Sequence, residues 1–225
     1  MGEVPSDLVA ELQRTLGLGR AVETGTYTGA GARALAEAFP TVVTIELSEE
    51  LARSAEEALR AQPRVRVVHG DSRIELPRLA AERVATLWFL DGHWSGGPTA
   101  GQAGECPVLE EIAALRAGHA DDCVVVDDAR LFAAAPPPPH DPGQWPTLME
   151  VFDALRAVRG GHHVTLLDDQ VLAVPASARR LLDAYGQRLT GPGTAAELRQ
   201  LAGRLAGAGV GGLRRSGSRL VGRRS

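Results

Sequence analysis

The 225-residue sequence predicts an α/β domain built on a mostly parallel sheet of seven strands that ends in an antiparallel hairpin, with helices on both faces. Three observations carry that expectation. Short β-branched runs alternate with amphipathic segments of helical spacing, the pattern of βαβ units and of a sheet buried on both sides. Acidic residues close several of these runs at their carboxyl ends, where open α/β sheets bind ligands. After the fifth run the order changes to two β-rich stretches that meet at Asp168-Asp169, as in a hairpin.

The elements follow in order. Val4 to Leu16 carries Leu8, Leu12 and Leu16 at helical spacing and stops at Gly17, so residues 1–17 read as a lead-in helix. AVETG, TVVTIEL, RVRVVHG, ATLWFLDG and CVVVDD read as strands, separated by helical segments near 30–38, 49–61, 73–82 and 106–117. The proline tract Pro136 to Pro139 opens a stiff loop that runs through Trp145; a helix at about 147–159 and the hairpin HHVTLLDDQVLAVP complete a domain over 18–175. Residues 176–225 read as a helix to about 189 and a flexible Gly/Arg-rich tail with little capacity to form a core.

Composition excludes several chemistries. All 24 basic residues are arginine, so a lysine-dependent P-loop, pyridoxal chemistry, Schiff-base aldol chemistry and a lysine general base are ruled out. Charge is divided: residues 1–175 hold 14 Arg against 26 acidic residues, and residues 176–225 hold 10 Arg against Asp183 and Glu197. The tail lacks the interleaved aromatics of a nucleic-acid surface and reads as a solvated extension. Cys106 and Cys123 fit neither a disulfide framework nor a zinc site. With no signal region and no apolar run near the ~20 residues of a membrane span, the chain is expected in the cytoplasm. A small-molecule acceptor is the expected partner, nucleic acid and membrane are not, and the sequence leaves room for a homo-oligomer.

Glu23-Thr24-Gly25-Thr26-Tyr27-Thr28-Gly29-Ala30-Gly31 joins the first strand to the first helix. Glycines there allow a sharp turn and close approach to a ligand, beside the free N–H groups of a helix start. Gly29-Ala30-Gly31-Ala32-Arg33-Ala34 also fits the dinucleotide pattern G-x-G-x-x-A, which leaves an NAD(P)-dependent oxidoreductase open. In that pattern the first glycine should end the strand, whereas here Gly25 does so. The string E-x-G-x-x-x-G-x-G instead resembles motif I of class I S-adenosylmethionine-dependent methyltransferases, whose Rossmann-like seven-stranded sheet matches the predicted architecture over roughly 18–175. That resemblance implies that Glu23 faces the methionine amino group while Gly25, Thr26, Gly29 and Gly31 pack on the cofactor. It also implies that Glu46 takes the ribose hydroxyls and that Asp71 and Ser72 lie near the adenine. Capping of the next helix is an equal role for Asp71 or Ser72.

Leu90-Asp91-Gly92-His93-Trp94 closes the fourth strand and Val126-Asp127-Asp128 the fifth, which brings three carboxylates near one point. Their repulsion is costly unless a proton or cation is shared, and oxygen ligands suit Mg²⁺. F-L-D-G-H-W with V-V-V-D-D resembles the cation-dependent O-methyltransferases of catechol type and of macrolide sugars. This likeness implies Asp91, Asp127 and Asp128 as ligands of a divalent ion that acidifies an acceptor hydroxyl. Here the sequence departs from the catechol pattern, with an extra glycine between Asp91 and His93, a longer glycine-rich segment before the next helix, and no lysine base. His93 is the nearest replacement, and packing against Trp94 is its other reading. Glu105, Glu110 and Glu111 read as solvated residues favouring a helix start, with Glu105 able to turn inward. Trp94 and Trp145 either stack on an acceptor ring or seal the core edge, and His69, His119, His140, His162 and His163 receive no role. A non-catalytic binding protein with an arginine-rich tail is the remaining alternative.

Overall fold

The computed structural model describes residues 4–96, 99–134 and 136–190. Met1–Tyr185 form one compact unit and Gly186–Ser225 a second, of which residues 186–190 are described; the Arg/Gly-rich tail lies outside the described residues. The elements are α1 (Ser6–Leu16), β1 (Arg20–Thr24), α2 (Ala30–Ala38), β2 (Val42–Glu46), α3 (Glu49–Leu59), β3 (Val65–His69), α4 (Ser72–Ala81) and β4 (Thr86–Leu90). They continue with α5 (Val108–Ala114), β5 (Cys123–Val126), α6 (Arg130–Ala133), α7 (Leu148–Val158), β6 (His162–Leu167), β7 (Gln170–Pro175) and α8 (Arg179–Thr190).

The strands form one seven-stranded sheet of order β3-β2-β1-β4-β5-β7-β6. β1 to β5 pair in parallel, and β7 runs antiparallel to both β5 and β6, so the architecture is the expected one. Strand order reverses direction at β1 and β4, the switch point outside which such sheets bind ligands.

Two apolar layers follow from strand alternation. Ala21, Leu87, Phe89 and Val125 face the layer that contains α1 and α2, whereas Val22, Trp88, Leu90 and Val124 face the layer that contains α4, α5 and α7. Leu8, Val9 and Leu12 of α1 and Ala178 and Leu182 near the start of α8 are buried in the first layer. The compact unit therefore includes the lead-in helix and extends past residue 175, because both flanking segments contribute apolar side chains to the same core.

Helix starts follow their capping residues. Ser48 accepts from the Leu51 N–H at 3.3 Å ahead of α3, and Thr147 and Glu150 form a reciprocal capping box at α7. Between β5 and the proline tract, a stretch to which the sequence assigned no element, the short helix α6 forms because the β6–β7 turn caps it: Asp169 accepts from the Ala129 N–H through its carbonyl and from the Arg130 N–H through its side chain, both at 2.8 Å.

At the amino ends of the strands, away from the ligand edge, Asp122 is fully buried and accepts from the Thr86 N–H at 2.9 Å and from Arg159 Nη2 at 2.6 Å. No helix among the described residues is long and apolar enough to cross a membrane.

Candidate active site

The carboxyl ends of β1, β2, β3 and β4 border one cleft of about 500 Å³. Gly25 follows β1 with φ of 82°, and a Cβ there would be driven into the Asp91 carbonyl oxygen. Glycine at this position is what lets β1 and β4 end side by side. Gly31 is needed for another reason, since any side chain on it would occupy the space of the Glu23 carboxylate. Glu23 is 3% exposed and accepts from the Thr44 hydroxyl at 2.6 Å; Thr44 in turn meets the Thr26 hydroxyl at 2.6 Å. Burial pushes the Glu23 carboxyl up to about 8, against the hydrogen bond from Thr44 that favours its charged form.

Glu46 ends β2 with both oxygens oriented by backbone donors, Tyr27 N–H and Ser48 N–H, each at 2.9 Å. Asp71 caps α4 through the Arg73 N–H at 2.9 Å and pairs with the Arg73 guanidinium at 2.6 Å. The Arg73 hydrogen bond holds the Asp71 carboxyl below its ordinary range. Asp71 therefore does cap the helix, and it borders the cleft as well, as Ser72 does.

At the other end of the cleft, Asp91, His93 and Asp128 offer ligand atoms within 4.8 Å of one another. His93 lies between the two carboxylates, with Nδ1 3.5 Å from Asp91 and Nε2 3.2 Å from Asp128. Burial opposes charge on this ring, yet the hydrogen bond to Asp128 and the nearby carboxylates outweigh it and raise its pKa. Burial lifts the Asp91 carboxyl to about 7. The extra glycine has a local reason here, because a Cβ on Gly92 would lie 2.8 Å from Glu111 Oε1 and 3.1 Å from the Thr24 hydroxyl.

The third expected carboxylate behaves differently. Asp127 accepts from Gln170 Nε2 at 3.0 Å, its Oδ2 has no hydrogen-bond partner, and it borders a separate hollow beside Asp168 and the start of α1. It does not share the Asp91–His93–Asp128 group. Asp128, with φ of 56°, is held by Arg130 at 2.7 Å, and Arg130 also pairs with Asp169 of the β6–β7 turn.

Two glutamates expected to be solvated are buried. Glu105, 3% exposed, accepts from Trp145 Nε1 at 2.8 Å and the Asp141 N–H at 3.1 Å, and lies 3.1 Å from His140 Nδ1. Burial works against its charge, but the bonds from Trp145, Asp141 and His140 outweigh it and lower its pKa. Glu111 is 1% exposed, its Oε1 has no hydrogen-bond partner, and burial raises its carboxyl to about 7, against the nearby Ser72 and Thr24 hydroxyls that favour its charged form. The sequence held a signal for Glu111, since with Val108, Ile112 and Leu115 it completes the buried stripe of that helix. No spacing rule connects Glu105 to His140, which come together only through the loop before α7. Trp145 seals the core edge, 6.1 Å from Phe132, whereas Trp94 borders the cleft and donates its indole N–H to the Thr99 carbonyl at 3.1 Å.

No family model and no curated protein sequence matches this chain. Solved structures do. A candidate caffeoyl-CoA O-methyltransferase of Staphylococcus aureus superposes with a TM-score of 0.57 at 16% identity, over 78% of this chain and 85% of that one. TomG of Streptomyces achromogenes, an O-methyltransferase of tomaymycin synthesis in complex with S-adenosylmethionine, gives 0.54 at 24% identity over 76% and 79%. An O-methyltransferase of Bacillus cereus in complex with S-adenosylhomocysteine gives 0.55 at 18% over 77% and 82%. The chain shares the fold of these O-methyltransferases. On this fold, Glu23, Glu46, Asp71 and Ser72 border the same cleft as Asp91, His93 and Asp128.

Proposed function

We propose that the protein is an S-adenosylmethionine-dependent methyltransferase that methylates a hydroxyl group of a small molecule, with a divalent cation at its acidic cluster. The observation that carries this reading is the single cleft in which the glycine turn, Glu23 and Glu46 stand opposite Asp91, His93 and Asp128. Glu23 receives the methionine ammonium, Gly25, Thr26, Gly29 and Gly31 pack on the cofactor, Glu46 accepts the ribose hydroxyls, and Asp71 and Ser72 lie by the adenine. The complexes of TomG and the Bacillus cereus enzyme support the choice of cofactor.

The donor set fits a divalent ion. Asp91 and Asp128 converge on a site that a histidine proton now shares, so a cation there relieves the same repulsion. Asp91, His93 and Asp128 would hold it, with Asp127 as a fourth oxygen donor once released from Gln170; the ion would supply Lewis acidity that favours the ionised acceptor hydroxyl. An imidazole ligand widens the choice from Mg²⁺ to Mn²⁺ or Fe²⁺. Asp91→Ala and Asp128→Ala are expected to reduce methyl transfer by about two orders of magnitude or more and to remove its sensitivity to chelator. Full activity of both variants in excess chelator would make the cluster structural.

Glu23 gives the cofactor assignment a pH signature. The free carboxyl takes up a proton between its ordinary 4.5 and about 8, so the unliganded fold loses stability as pH rises through that window. A bound ammonium favours the carboxylate and releases the proton. Affinity for S-adenosylhomocysteine should therefore rise by roughly tenfold per pH unit from pH 6 and level off near 8. Calorimetry in buffers of different ionisation enthalpy reads the proton directly, and Glu23→Gln should abolish both the release and the slope.

A further inference from the structure

We infer that His140 is the general base for the acceptor hydroxyl and that Glu105 is the residue that positions it, a histidine–carboxylate dyad standing where the absent lysine would serve. The inference rests on the methyltransferase reading above and concerns residues that the sequence left without a catalytic role.

The chain contains no lysine, so a hydroxyl proton needs another acceptor within the cleft. His93 does not offer one. Its Nδ1 lies 3.5 Å from Asp91 and its Nε2 3.2 Å from Asp128, so both ring nitrogens are engaged within the acidic cluster that would hold the cation, and neither is turned to an acceptor. His140 borders the same cleft and is held quite differently. Its Nδ1 lies 3.1 Å from Glu105 Oε2, and its Nε2 has no partner among the described residues. Glu105 is fixed by Trp145 Nε1 at 2.8 Å and the Asp141 N–H at 3.1 Å, while its own N–H donates to Gln144 Oε1 at 3.0 Å. A carboxylate held that firmly accepts the Nδ1 proton and leaves the lone pair on Nε2.

The ring plane is fixed as well. Trp94 and Trp145 meet His140 edge-on, with centroids 5.0 and 5.5 Å away. The charged or titratable groups near the ring are Glu105, the neighbouring Asp141, whose side chain accepts from the Gly143 N–H, and His93, whose ring also packs on Trp145. Glu105 is the one in contact, and it favours the imidazolium that forms during reaction.

The step balances. As the acceptor oxygen bonds to the methyl carbon, its proton passes to His140 Nε2, and the carbon–sulfur bond breaks with its electron pair staying on sulfur. The sulfonium becomes a neutral thioether, and the positive charge ends on the imidazolium beside Glu105.

The test uses the full chain saturated with S-adenosylhomocysteine. Side-chain ¹H–¹⁵N spectra should show the neutral His140 ring protonated at Nδ1 in the wild type and lose that preference in Glu105→Gln. A ring protonated at Nε2 overturns the proposal whatever the acceptor. In parallel, transfer from S-adenosylmethionine is assayed on 3,4-dihydroxybenzoate and methyl glycosides. His140→Gln is expected to lower kcat by about 10²-fold or more, with KM within a few-fold and the acidic limb of the kcat profile lost. Glu105→Gln should fall between it and the wild type. Unchanged kcat in His140→Gln overturns the assignment, and if no probe is methylated the tautomer alone decides. Retained S-adenosylhomocysteine affinity shows that each variant is folded, whereas failure of the wild type to bind it removes the methyltransferase reading itself.

Discussion

Gly25→Ala is expected to weaken S-adenosylhomocysteine binding by about two orders of magnitude or more, near 3 kcal/mol. Two effects combine. An L-residue at φ of 82° is strained, by about 1–2 kcal/mol, and the added methyl overlaps the Asp91 carbonyl, a backbone atom with no rotamer to retreat into. Relief requires β1 and β4 to part, which shifts Glu23 and Asp91 together and opens both ends of the cleft. Gly17→Ala is the control, because Gly17 also has positive φ but meets nothing within 4 Å. It should cost about 1 kcal/mol of stability from backbone strain and leave binding unchanged. Equal binding by both variants, measured by calorimetry, would mean that the β1–β4 approach does not shape the cofactor cleft.

Asp122→Ala should destabilise the fold by about 3–5 kcal/mol in urea or guanidinium denaturation. Asp122 is fully buried and the Arg159 side chain is 6% exposed, so removal of the carboxylate leaves a guanidinium without its counter-charge in the core. It also frees the Thr86 and His119 N–H groups that Asp122 accepts from, at the starts of β4 and of the turn before β5. Burial raises the Asp122 carboxyl and lowers the Arg159 guanidinium, although each draws the other toward its charged form. The pair itself therefore adds little net stability, and its loss is costly because it is one-sided. Asp122→Leu combined with Arg159→Met should recover part of what Asp122→Ala loses. Additive losses would instead show that the two groups act independently.

The sheet was legible because its signals are local. Five β-rich runs, separated by four segments of helical spacing, point to parallel pairing, and Asp168-Asp169 between two further runs points to the hairpin. The end of the cleft proposed for the cofactor was legible for the same reason, since Glu23, Gly25, Glu46 and Asp71 sit at strand ends that chain order alone brings to one edge. The reaction end was less so. Asp127 and Asp128 are adjacent, but the positive φ of Asp128 turns them apart, one toward His93 and the other toward Gln170. Glu105 and His140 lie 35 residues apart on two loops, and a contact of that kind depends on loop conformation that residue pattern does not specify. Glu111 stood on an apolar stripe, yet its charge suggested solvent. Burial in this case follows from Gly92, which vacates the space above it.

Isothermal calorimetry of the full chain with S-adenosylhomocysteine, at pH 8 and without added metal, tests the central claim most directly. The expected result is saturable binding at one site per chain with micromolar affinity, which weakens by roughly tenfold per unit as pH is lowered from about 8. No binding up to high micromolar ligand would contradict the assignment of Glu23, Glu46 and the glycine turn to an adenosyl cofactor.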